Sequence, residues 1–244
     1  MTPYYEQDGI AVFCGDFREV TPTLTQVDHI ITDPPYSEHT HAKQWIGAAL
    51  TNDGRKRVST AHKELGFAYL SDEVRDALCA EAHRLAMRWT IAFTDLEGIW
   101  LWRQAYARFT LDYVRACVWD KVDGAPQFTG DRPAAGAEAF VCAHRKGKKR
   151  WNGGGSRNVF RHAVNADRGA KPHPSTKPEP LMAEIIYLFT DPGDLILDPF
   201  MGSGTTLVAA KRLGRKAIGV ELEEKYCEVA AKRLSQGALN LEMP

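Results

Sequence analysis

The stretch from Leu195 to Glu221 constrains the fold more than any other part of the chain. Leu195-Ile196-Leu197-Asp198 reads as a short buried strand, and Pro199 to Gly204 as a glycine-rich turn. Thr205 to Leu213 carries Leu207, Val208, Ala210 and Leu213 at helical spacing. Lys216 to Val220 is a second apolar strand, and Glu221 follows it directly. Strand, Gly-x-Gly turn, helix, strand and acid form the nucleotide-binding half of a doubly wound sheet. The glycines let backbone approach a ligand closely. The acid can accept both ribose hydroxyls; its plain alternative is a helix-starting acid.

The same turn narrows the ligand. A phosphate loop needs Gly-Lys-Ser/Thr, and Gly204-Thr205-Thr206 has no lysine there. A dinucleotide fold wants a third glycine, and Leu207 stands near that position. Asp198 and Phe200 belong to the turn, with no basic residue before Lys211. That lining suits an adenosine with a cationic tail, such as S-adenosylmethionine, better than a pyrophosphate.

A second stretch, Asp33-Pro34-Pro35-Tyr36, follows the apolar run Val27 to Thr32, itself read as a buried strand. Prolines stiffen the backbone and donate no hydrogen bond, so the Pro34 carbonyl has no ladder to join. Beside it stand a carboxylate that only accepts hydrogen bonds and a flat aromatic face. Two acceptors and a stacking platform suit a planar ring with an exocyclic amine, adenine or cytosine. A strand-ending turn with an acidic start is the plain alternative.

Together, Asp33-Pro34-Pro35-Tyr36 and Asp198-Pro199-Phe200-Met201-Gly202-Ser203-Gly204-Thr205-Thr206 resemble the amino-methyltransferases of DNA. The first motif precedes the second, as in that family's beta-type permutation. Phe13-Cys14-Gly15-Asp16 resembles its N-terminal Gly-Asp, and His173-Pro174-Ser175-Thr176-Lys177-Pro178 its His-Pro-x-x-Lys-Pro element. Trp119-Asp120-Lys121 and Arg132 to Arg145 resemble the middle of the pattern. The resemblance implies a Rossmann-like α/β fold, doubly wound in permuted motif order, with a mostly parallel sheet and helices on both faces. It implies metal-free methyl transfer from S-adenosylmethionine to the N6 amine of an adenine. A duplex base must flip out of the helix to be reached.

The resemblance also distributes roles. Asp33 and the Pro34 carbonyl would each accept one amino hydrogen, with Pro35 holding the turn and Tyr36 stacking on the base. Asp33 can also touch the methionine ammonium of the cofactor. Asp16 would meet its adenine, Thr176 and Lys177 its carboxylate, and Glu221 its ribose. Phe200, Gly202, Ser203 and Gly204 would surround the methionine portion, with Thr205 and Thr206 at the helix N-terminus. An aspartate at the first motif position is commoner for adenine, so cytosine-N4 transfer is the runner-up. A catalytically silent DNA-binding protein of the same fold is the reading from another class.

At 244 residues the chain suits one domain. Met1 to Asp8 lacks the basic and apolar parts of a signal peptide, and no apolar run approaches a membrane span. The five cysteines are scattered, with no Cys-x-x-Cys pair. Reduced thiols and a cytoplasmic location are expected. Net charge is zero, yet Arg145 to Lys171 holds nine cations against one acid, Asp167. Such a segment can bind phosphate where global charge cannot. A short basic recognition insert over 145–172 is therefore expected on double-stranded DNA, with Lys148, Lys149, Arg150, Arg157 and Arg161 on phosphates. Residues 37–66 read as a lid or DNA-contacting loop; His39-x-His41 there is a weak metal pattern, and no metal is expected. A homodimer and a companion restriction nuclease are left open.

Overall fold

The computed structural model describes residues 1–36, 70–127, 130–165 and 176–236. The lid expectation over 37–66, with His39, His41 and His62, lies outside them, as do residues 166–172 of the basic segment. The strands are β1 Tyr5–Gln7, β2 Ile10–Cys14, β3 His29–Thr32, β4 Trp89–Thr94, β5 Asp112–Lys121, β6 Ala137–His144, β7 Val159–His162, β8 Leu195–Asp198 and β9 Lys216–Glu221. The helices are α1 Phe17–Val20, α2 Asp72–Leu85, α3 Ile99–Arg108, α4 Glu179–Phe189, α5 Thr205–Arg212 and α6 Glu224–Ser235.

One sheet runs β1-β2-β9-β8-β3-β4-β6-β5-β7. The run from β2 to β4 is parallel. β6 lies antiparallel between β4 and β5, and β7 is parallel to β5. The expected mostly parallel sheet is thus present, with β1 and β6 reversed.

Why these segments become strands follows from their two-sided burial. In β3, β4 and β8 neighbouring residues face opposite cores. Ile31, Ile91, Phe93 and Ile196 pack with α4, α5 and α6, while Ile30, Ala92 and Leu197 pack with α1, α2 and α3. A sheet covered on both faces needs continuous apolar runs rather than alternation. The helices have matching one-sided stripes. In α2, Leu78, Cys79, Ala82 and Leu85 are buried, and Ser71 caps the first turn through the Val74 N–H.

The connections fix where a ligand sits. β3 leads through α2 to β4 on one face, and β8 leads through α5 to β9 on the other. Adjacent strands β3 and β8 therefore send their chains to opposite sides. Ligands bind outside the strand ends at such a switch point. Asp33 follows β3 there, and the Pro199–Gly204 turn follows β8.

Candidate active site at the strand ends

The cofactor turn is held from three sides. Asp198, buried at the end of β8, accepts from the Thr32 hydroxyl at 2.8 Å and the Phe200 N–H at 3.1 Å. Burial pushes its carboxyl up to about 6 despite these donors. Gly202 and Gly204 have φ of +52° and +80°, in the left-handed region that favours glycine. A Cβ built on Gly202 would meet open space. Glu221, at the end of β9, accepts from the Gly202 N–H at 3.0 Å and the Glu223 N–H at 2.8 Å. Burial raises its carboxyl against these donors. Each carboxylate oxygen has a second lone pair available to a hydroxyl.

Around this turn lie the other expected residues. Phe200 packs on Phe17 with centroids 5.1 Å apart. The Thr176 and Ser203 hydroxyls are 3.3 Å apart. Thr205 and Thr206 are buried at the start of α5. Arg233 of α6 donates to the Ser203 carbonyl at 2.7 Å and to the Thr205 hydroxyl at 3.1 Å, a tie the sequence did not signal. Asp16 sits beside β9, since the Gly15 N–H donates to the Glu221 carbonyl at 2.9 Å. Its carboxylate caps α1 and pairs with Arg18, whose hydrogen bond holds it below the ordinary range. The structure thus brings Asp16 to the rim in a capping role.

On the catalytic side, Asp33 accepts from the Lys177 ammonium at 2.5 Å through Oδ2. Its Oδ1 is buried and has no hydrogen-bond partner among the described residues. Burial pushes the carboxyl above its ordinary range; Lys177 opposes this and Glu138 adds to it. Tyr36 donates its hydroxyl to Glu138 at 2.6 Å. Lys177, expected on a cofactor carboxylate, sits here on acids of the chain itself. Its ammonium lies 3.3 Å from Glu138 as well as on Asp33, and 5.1 Å from the ring centres of Tyr36 and Phe93. A buried cation needs such anions and ring faces around it.

Sequence reasoning missed Glu138. It stands near the start of β6, within reach of Lys177 and of Lys121 at 2.6 Å. Burial alone would raise its carboxyl, but Lys177 and Lys121 outweigh it and bring it down to about 2. The available signal was an acid at the head of the apolar run Ala137 to Ala143.

The basic segment is not one face, which corrects the expectation of a single DNA surface there. β6 runs backwards, so Lys148, Lys149 and Arg150 follow it at the edge opposite the site. Lys149 pairs with Asp112 at 2.8 Å and Arg150 with Asp191 at 3.0 Å. Asp112 opens β5 and Lys121 closes it nine residues on, so about 30 Å separates these cations from the site at about 3.3 Å per residue. Arg161 instead lies on β7, paired with Asp120 at 2.9 Å near the catalytic edge. Arg157 is exposed just before β7. No cluster of His, Cys, Asp or Glu among the described residues could hold a metal ion. No described helix is long and apolar enough to cross a membrane.

This arrangement matches known proteins across most of the chain. A family model described as DNA methylase, of the N6/N4 class, matches residues 27–232. A type II methyltransferase of Streptococcus pneumoniae, M2.DpnII, is 47% identical over 95% of this chain and 92% of its own length. M2.LlaDCHI of Lactococcus lactis is 29% identical over 97% and 93%. The crystal structure of an M1.HpyAVI–SAM complex superposes with a TM-score of 0.71 at 25% identity, covering 92% of this chain and 98% of that one. PvuII DNA methyltransferase, cytosine-N4-specific, shares the fold with a TM-score of 0.72 at 18% identity, over 98% and 90%. With a family model spanning both motifs and curated relatives aligned over nearly the whole length, the chain belongs to the N6/N4 DNA methylase family.

Proposed function

We propose that this methylase acts on the N6 amine of an adenine flipped from double-stranded DNA, using S-adenosylmethionine. The observation that carries the reading is Asp33 at the switch point. One of its oxygens is anchored by Lys177 and the other is buried with no partner among the described residues. An unmet buried acceptor costs free energy until a donor arrives, and an amino hydrogen is such a donor. The residues also fit the cofactor. Asp33, Asp198 and Glu221 give an acidic lining for a cationic ligand, and Gly202 leaves its cradle open.

S-adenosylmethionine, when bound, supplies an electrophilic methyl group on a sulfonium. The protein's share is orientation and electrostatics. Asp33 and the Pro34 carbonyl accept the two amino hydrogens and turn the nitrogen lone pair toward the methyl. The raised proton affinity of Asp33 suits a carboxylate that takes a proton as the nitrogen becomes positive. Tyr36, fixed at its hydroxyl by Glu138, offers its ring to the flipped base. Arg161, near the catalytic edge, and Arg157, ahead of β7, are proposed as phosphate contacts. The type II class of the curated relatives extends the proposal to a methylase that protects DNA beside a restriction nuclease.

The test is to incubate the protein with S-adenosylmethionine and duplex DNA, digest to nucleosides and identify them by mass. N6-methyladenine is expected. N4-methylcytosine would move the target to cytosine, and no methylated base would remove the enzymatic reading.

Two further results are expected. Glu221→Ala should weaken S-adenosylmethionine about tenfold to a hundredfold by calorimetry, since hydrogen bonds to a charged acceptor contribute about 1.5–3 kcal/mol each. Unchanged affinity would leave Glu221 as only a backbone tie. Replacing Lys148, Lys149 and Arg150 together with alanine should change the slope of log DNA affinity against log salt by less than about one unit. A loss of two to three units would show that DNA reaches the far edge.

A further inference from the structure

Four charged groups meet beside the catalytic motif, coming from four separate parts of the chain. Asp33 follows β3, Lys121 closes β5, Glu138 stands in β6 and Lys177 precedes α4. Glu138 is the hub. Its Oε1 takes Lys121 at 2.6 Å, and its Oε2 takes the Tyr36 hydroxyl at 2.6 Å and Lys177 at 3.3 Å. Lys177 then spans to Asp33 at 2.5 Å. The cluster is two anions and two cations, with side-chain exposures of 9% for Lys177, 17% for Lys121, 18% for Glu138 and 25% for Asp33.

Drawing four charges out of water is poor economy for stability, because desolvation offsets much of their attraction. Their placement against the reacting edge points to a use there. Two of the contacts made by Glu138 end on residues with work to do. The Tyr36 ring can swing about its Cα–Cβ bond unless its hydroxyl is held at the far end. Lys177, already on Asp33 Oδ2, could turn to take Oδ1 as well unless a second anion holds it on the other side.

We propose that Glu138 is a positioning residue for methyl transfer: it fixes the stacking ring of Tyr36 and shares Lys177, so that Asp33 keeps one oxygen for the target amine. The proposal rests on the methyl-transfer reading above. Glu138 acts through Tyr36 and Lys177 and is not itself assigned a contact with base or cofactor. Its charge also bears on Asp33. Among the described residues, Lys177, Glu138, Tyr36 and Asp198 are the charged or titratable groups that act on Asp33. Of these, Lys177 lowers its proton affinity, while Glu138 and burial raise it. Glu138 itself faces Lys177, Lys121, Tyr36 and Asp33.

The experiment measures kcat against pH for wild type, Glu138→Gln, Tyr36→Phe and the double variant, with cofactor affinity and thermal unfolding alongside. Wild-type turnover must first be present; its absence sinks the methyl-transfer reading and not the role of Glu138 within it. Glu138→Gln is expected to lose about a hundredfold in kcat, the scale of a small misplacement of reacting groups, with cofactor affinity within about threefold. Tyr36→Phe should lose about tenfold, and the double variant should be no worse than Glu138→Gln, since the two residues act as a unit. Removing the Glu138 anion lowers the proton affinity of Asp33, so the acidic fall-off of kcat should move to lower pH. A purely structural residue would not move that limb in this direction. Wild-type kcat in Glu138→Gln, additive losses, or an acidic limb that stays or rises would each overturn the proposal. If Glu138→Gln does not fold, Tyr36→Phe decides alone: it removes only the hydroxyl, and full kcat there overturns the positioning role.

Discussion

Asp33→Ala is expected to lower methyl transfer by about 10³-fold or more, within the range for removing a group that handles a proton at the reacting atom. Binding of S-adenosylmethionine should stay within about tenfold, or ~1.4 kcal/mol. The carboxylate is the only anionic side chain of the motif, and its Oδ1 has no hydrogen-bond partner among the described residues. The fold should survive the change. Losing Asp33 leaves Lys177 buried, but Glu138 remains 3.3 Å away as a counter-ion, which avoids the large penalty of an unpaired buried charge. Transfer of a tritiated methyl group and calorimetry on the same preparation check both halves. Near wild-type turnover would take Asp33 out of the mechanism. A much larger loss of cofactor affinity would give it a second role on the methionine ammonium.

The second large effect is expected at Gly204. Its φ of +80° is strained for any residue with a Cβ, at about 1–2 kcal/mol. A Cβ there would also stand 2.9 Å from the Cβ of Ala230 and 3.4 Å from its Cα. Alanine has no rotamer with which to retreat, and Ala230 is fully buried in α6. Overpacking of this kind costs about 1–3 kcal/mol more. Gly204→Ala should therefore lower Tm by roughly 5–15 °C, at about 2–4 °C per kcal/mol for a chain of this size. It should also weaken the cofactor, because α6 can yield only by moving the turn that Arg233 ties to it. Adding Ala230→Gly should restore part of Tm by removing the clash while the backbone strain stays. Equal Tm values for all three proteins would mean that the turn does not pack on α6 as described.

The legible parts of this molecule were those whose signal is local. β3, β8 and β9 are continuous apolar runs because both faces of the sheet are covered, and the Gly202–Gly204 turn is marked by residues that tolerate positive φ. β7 was not legible. Only Phe160 of its four residues is buried, with Val159 and Arg161 exposed, and it lies within a run of cations. The basic segment misled for a topological reason. Charge summed along the chain takes no account of β6 running against its neighbours, which carries Lys148 to Arg150 to the far edge. Glu138 was hidden because its partners, Tyr36, Lys121 and Lys177, belong to other elements. No window of sequence holds the cluster, so only the folded sheet assembles it.

The pairing of β3 with β8 joins His29 to Ile196 and Ile30 to Leu197, and β2 pairs with β9 from Ile10 to Cys14. During synthesis, then, β2 and β3 emerge long before their inner neighbours β9 and β8 exist. Asp33 must wait for more than 160 further residues before the turn that faces it has left the ribosome. Loop closure over such separations is slow, and unpaired strand edges invite aggregation meanwhile. A truncated or half-translated chain therefore cannot carry out a fraction of the reaction. Activity should switch on in one step, when β8 and β9 slot between β2 and β3 and close the middle of the sheet.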